Sequence, residues 1–89
     1  MKRNILKVNS VNYRKGFIEV TGNIHPNCIN IETWEIISDK DISELSLEKE
    51  SIIDEDIVAN TEIELSIREA KDLISLLENE IEKLSKILK

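Results

Sequence analysis

The feature that most constrains this chain is the spacing of apolar residues in its last quarter. Ile67, Ala70, Ile74, Leu77, Ile81, Leu84 and Leu88 alternate by three and four without a break. That period lines one side of an α-helix. Ser66 and Glu69 occupy the two ends of a capping box, in which a hydroxyl accepts from the amide three residues on and the carboxylate reaches back. Leu65 and Ala70 flank it where a hydrophobic staple would close. Neither Gly nor Pro interrupts the run, Glu82 and Lys86 form a favourable four-residue pair, and Lys83, Lys86 and Lys89 suit the negative end of the macrodipole. The spacing therefore predicts one long helix over 66–89.

Leu73, Leu76 and Ile87 widen the apolar stripe to roughly half the circumference, more than a surface helix needs. Two expectations follow. Either the helix sinks deeply into its own domain, lying across a sheet, or Leu73, Leu76 and Ile87 are left over for another protein or a second copy. A homodimer about a two-fold axis is the simpler version, because it reuses one patch on both subunits.

Upstream, the pattern changes to a period of two. Leu6, Val8, Val11 and Tyr13 suggest a first strand with a slip of phase near Asn9 and Ser10, and Arg14-Lys15-Gly16 a turn. Phe17 to about Ile24 reads as a second strand, and His25-Pro26-Asn27 as the next turn. In a third strand, Cys28 to Ile37, the residues Ile29, Ile31, Thr33, Glu35 and Ile37 share one face, and Asn30, Glu32, Trp34 and Ile36 the other. Ile29 and Ile31 are the expected core, with Trp34 partly exposed at an edge. A phase change near Thr33 would reverse the second half.

Ser38 to Asp41 reads as a turn and Glu44 to Lys49 as a fourth strand. Ile52 to Val58 suggests a helical turn or a strand-edge crossing. Thr61 to Leu65 reads as a last strand with Ile63 and Leu65 inward. No linker or internal repeat divides the 89 residues, so a single α+β domain is expected: an antiparallel sheet of four to five strands (1–65) with one long C-terminal helix (66–89) packed on one face.

Charge is distributed unevenly. The first 31 residues carry Lys2, Arg3, Lys7, Arg14 and Lys15 against Glu19, whereas residues 32–69 carry thirteen acids against Lys40, Lys49 and Arg68. That field opposes nucleic-acid binding over the middle segment and favours a basic protein partner. The basic residues around Tyr13 and Phe17 read as a solvated hairpin. A single cysteine, Cys28, excludes an intrachain disulfide and fits a reducing compartment. The apolar run near Met1 is too short for a signal peptide, and none is long enough to cross a bilayer, so a cytoplasmic protein without membrane contact is expected.

Chemistry-bearing constellations are sparse. His25 and Cys28 are close enough in sequence to share a metal, but a closed zinc site needs four ligands and only carboxylates remain. Asp39, Asp41, Ser43 and Glu44 lack the glycine and acid spacing of a calcium loop. With Gly16 and Gly22 the only glycines, there is no phosphate-cradling loop. No enzyme, metal or cofactor is expected.

The reading left is a small protein that occupies the basic surface of another. Asp39, Asp41, Glu44, Glu48, Glu50, Asp54, Glu55 and Asp56 would form the acidic face, with Trp34 as aromatic anchor. In size and composition the chain resembles small, acidic phage-encoded anti-defence inhibitors, including anti-CRISPR proteins. That resemblance implies steric blockade or mimicry of nucleic-acid charge, and assigns no site residues. The alternative is a small-ligand or nucleotide-signal pocket at a dimer interface near Arg14, Lys15 and His25.

Overall fold

A computed structural model describes residues 3–48 and 52–87. Four strands, β1 (Ile5–Val8), β2 (Lys15–Gly22), β3 (Cys28–Ile36) and β4 (Ile57–Ser66), form an antiparallel sheet in the order β1-β2-β3-β4. A 3₁₀ turn, Asp54–Asp56, leads into β4, and helix α1 (Ile67–Ile87) follows it. The α+β class, the antiparallel sheet and the terminal helix stand as the sequence predicts.

The turns explain the strand boundaries. Arg14 N–H donates to the Val11 carbonyl at 3.0 Å, closing a turn that removes Val11 and Tyr13 from the first strand. The reversal therefore comes earlier than expected, and Lys15 and Gly16 already belong to β2. Gly16 pairs with Glu35, and a Cβ there would overlap the Trp34 carbonyl oxygen. The second reversal lies where His25-Pro26-Asn27 places it, with Asn23 and Asn27 both at φ 63°, a conformation that asparagine tolerates.

Register sorts the side chains onto two faces. On one lie Ile5, Phe17, Glu19, Glu32, Trp34, Ile36, Asn60 and Glu62; on the other Leu6, Val8, Ile18, Val20, Ile29, Ile31, Thr33, Ile63 and Leu65. The first face carries the core. Phe17, Ile36 and Ile42 are buried, with Ile5, Trp34, Leu45, Leu47, Ile52 and Ile57 packed around them. Ile42, Leu45, Leu47 and Ile52 come from the segment between β3 and β4, which folds over this face.

This overturns two expectations. Glu44 to Lys49 contributes no strand over its described residues. Asp41 caps a local turn there, accepting from Ser43 N–H at 3.0 Å and from its hydroxyl at 2.7 Å, and Leu45 N–H closes another on the Ile42 carbonyl. Backbone bonds spent on turns are unavailable to a ladder, so Leu45 and Leu47 pack as a lid instead. The core also sits on the opposite face from Ile29 and Ile31, and Trp34 belongs to an interior strand beside that core.

The larger correction concerns α1. It does not lie across the sheet: Ala70 is half-buried and every other described residue of the helix is exposed. The cause is the connection. Ser66 ends β4 and Ile67 begins α1, so no residue is left for the loop that would turn the helix back over its own sheet. The capping box fixes that junction, with Ser66 N–H donating to Glu69 Oε1 at 2.8 Å and Glu69 N–H to Ser66 Oγ at 3.1 Å. The helix projects, and the radius of gyration is 15.0 Å, against about 12 Å for a compact chain of this length.

Candidate functional site

The acidic residues divide into two groups that the sequence does not separate. Asp39, Asp41, Glu44 and Glu48 lie exposed on the covering segment, and Asp54 and Glu55 on the 3₁₀ turn before β4. Asp41 is committed to its turn, and the Ser43 N–H and then the Ser43 hydroxyl hold its carboxyl below the usual range. Asp56 is half-buried, with Oδ2 3.4 Å from Lys40 Nζ and without a hydrogen bond of its own. Its backbone carbonyl accepts from Ile37 N–H at 2.8 Å, so the main chain here ties the segment to the end of β3. Glu50 lies outside the described residues. Of the predicted acidic face, Asp41 and Asp56 are thus engaged in local contacts, and Asp39, Glu44, Glu48, Asp54 and Glu55 stand exposed.

A tighter arrangement lies on the sheet itself. Glu19 of β2 stands directly opposite Glu32 of β3, and Glu32 directly opposite Glu62 of β4. Three carboxylates therefore form a row across three neighbouring strands. Like charges directly opposite one another destabilise a sheet, so the row costs folding free energy. Two neighbours reduce that cost. Arg3 donates from Nε to Glu19 Oε2 and from Nη2 to Glu19 Oε1, both at 2.8 Å, which holds the Glu19 carboxyl below its usual range. Asn60 Nδ2 donates to Glu32 Oε2 at 3.1 Å and to the Thr33 carbonyl at 2.8 Å.

One residue pair further along β4 on the same face, Glu64 meets His25 Nδ1 at 2.6 Å, so the β2–β3 turn is tied to this edge strand. Trp34 lies two residues along β3 from Glu32, opposite Asn60, half-buried against the core. It therefore borders the glutamate row on the same face.

The spacing rule that found the strands could have found half of this row. Glu19, Glu32 and Glu62 all occupy polar positions in alternating segments; the β2–β3 turn sets the Glu19–Glu32 pairing, but residues 37–56 separate β3 from β4, so no hairpin fixes the Glu32–Glu62 pairing.

The ligand constellation near Arg14, Lys15 and His25 is not assembled. Lys15 begins β2 and His25 lies beyond its far end. Lys15 Nζ is occupied, donating to Asn12 Oδ1 at 2.8 Å and to the Ser38 carbonyl at 3.0 Å. Arg14 and Lys15 do line one open cavity of about 510 Å³, with Tyr13, Ile18 and Thr33, but His25 does not. Cys28 is half-buried and His25 engages Glu64, and among the described residues no group of three or more His, Cys, Asp or Glu could hold a metal ion. No described helix is long and apolar enough to cross a membrane.

The proposed dimer residues Leu73, Leu76 and Ile87 are all exposed on α1, and so are Ile67, Ile74, Leu77, Ile81 and Leu84. The expected division of the stripe into a covered part and a leftover part does not hold in the isolated chain. No protein-family model, curated protein or solved structure matches this chain.

Proposed function

We propose that this chain is a small non-enzymatic binding protein whose Glu19–Glu32–Glu62 row, bordered by Trp34 and Glu64, docks on a basic surface of another protein. The observation that carries the reading is the row itself. Three like charges aligned across strands oppose folding, and a partner's lysine or arginine side chains would relieve that repulsion on binding. Arg3 already neutralises Glu19 and the Asn60 amide donates to Glu32, while Glu64 is engaged by His25, which leaves Glu62 on edge strand β4 as the exposed approach. The exposed acids Asp39, Glu44, Glu48, Asp54 and Glu55 add long-range attraction without forming the contact. An adaptor or inhibitor acting in this way fits the anti-defence resemblance, with blockade of a basic groove as the mechanism.

Trp34, the only tryptophan, serves as the reporter for the test. A lysine- and arginine-rich peptide titrated onto the chain should shift Trp34 emission, with affinity falling steeply between low and high salt. Replacing Glu32, Glu62 and Glu64 by Gln should abolish the shift, whereas neutralising Asp39, Asp54 and Glu55 should weaken it only slightly. Equal losses in the two triple variants would reduce the effect to net charge and end the proposal.

A further inference from the structure

Two apolar surfaces lie uncovered on this chain, and they adjoin. The sheet face that bears Leu6, Ile18, Val20, Ile31, Ile63 and Leu65 has no segment over it among the described residues, since the covering segment packs on the opposite side. Ile63, on edge strand β4, is 63% exposed. The helix stripe is bare as well: its large aliphatics run from Leu73 at 37% to Ile87 at 75% exposed, and only Ala70 is half-buried. Ile67 shares a cavity with Gly22 and Ile29 of the bare face, so the stripe begins where that face ends. The large aliphatics exposed on the two surfaces together present on the order of 1,000 Å², beyond the few hundred Å² usual for the largest apolar patch of a monomer and comparable to the about 800 Å² per partner of a stable interface.

We infer that a second copy of this chain covers both surfaces at once, in a parallel two-fold dimer whose α1 helices pair along their stripe and whose bare sheet faces oppose each other. The helix sequence selects the arrangement. Ile67, Ile74 and Ile81 fall at the first apolar position of successive heptads, and Ala70, Leu77 and Leu84 at the second. Isoleucine at the first and leucine at the second favours two parallel strands. Along the seam's flanks, Leu73 would meet Glu78 and Glu80 would meet Ser85 of the partner, so no like charges oppose.

The spacing fits as well. Paired helices stand about 8–10 Å apart and packed sheets about 10 Å apart, so one axis serves both layers. The direct passage from Ser66 to Ile67 is what makes the surfaces continuous: a loop there would let α1 fold back and close the chain on itself. The glutamate row lies on the opposite sheet face and points outward in such a dimer, so this inference stands independently of the basic-partner reading.

The test is the solution mass of the full chain at 10–100 μM, with Leu84→Cys in a Cys28→Ser background oxidised under mild conditions. The dimer requires twice 10.3 kDa and an interchain disulfide, because a parallel seam sets position 84 against itself. Leu77→Glu should restore the monomer mass while the near-ultraviolet signal of Trp34 persists. A monomeric wild type at 100 μM would overturn the inference, and a monomer that adsorbs to anionic vesicles would assign the stripe to a lipid surface instead. A dimer that fails to form the disulfide would overturn the parallel seam in favour of helix-on-sheet exchange.

Discussion

The two faces of the sheet are built from the same alternation, yet one is closed by its own chain and the other is not. Over the closed face a segment without regular structure brings Ile42 to zero exposure and seals Phe17 and Ile36 beneath it. Over the open face Leu6, Val20 and Ile63 stay exposed and Ile18, Ile29 and Ile31 only half-buried, because the long helix that could cover them leaves the sheet at Ser66 without a loop. Burial here is decided by connection length and turn placement, and apolar content alone does not predict it.

That comparison can be broken most sharply at two isoleucines. Ile42→Ala should cost about 3 kcal/mol in urea unfolding, because it opens a cavity in a core with few other buried side chains. Ile63→Ala, measured at the lowest usable concentration, should stay within about 0.5 kcal/mol, since it removes only exposed surface. Equal losses would mean that the open face is already covered.

Next in size is the junction that keeps α1 away from the sheet. Ser66→Ala should lower stability by about 1 kcal/mol by removing one half of the capping box. The pH dependence follows from its partner. The Ser66 N–H and then the Ser66 hydroxyl lower the Glu69 carboxyl below its usual value, so this contribution is complete above the ordinary glutamate pKa and disappears as the pH falls through the native one. An acid titration of helicity in Glu69→Gln should lack that phase.

A smaller effect is expected at the flank of the glutamate row. Arg3→Ala should lower stability by less than loss of the cap does, the pair being partly exposed, and high salt should reduce the difference. Glu19 lies low through its bonds to Arg3, so the loss should fade as the pH drops through that lowered native value. The exposed pairs Lys83–Glu80 and Lys86–Glu82 lie at the bottom of the scale, and their removal should change stability by no more than about 0.5 kcal/mol.

The elements whose signals are local were legible in the sequence. The capping box, the helix period, the His25-Pro26-Asn27 reversal and the strand alternation of β3 all depend on residues within a turn or two of each other. What depends on long-range packing was not. Leu45 and Leu47 alternate as strand residues do, but Asp41 and Ser43 divert the backbone into turns. Ile29 and Ile31 look like core, but which face is covered depends on where residues 37–56 fold. The apolar stripe announces burial without naming what buries it, and Glu19, Glu32 and Glu62 become neighbours only through register.

Hydrogen exchange along α1, followed as a function of protein concentration, tests the central claim most directly: that the chain leaves its helix and one sheet face for another copy to cover. Amides of Leu73 to Leu84, and those of β4, should exchange more slowly as concentration rises, in step with the change in mass. Exchange in α1 that is slow and independent of concentration in a monomeric sample would contradict it, because the stripe would then be buried by its own chain.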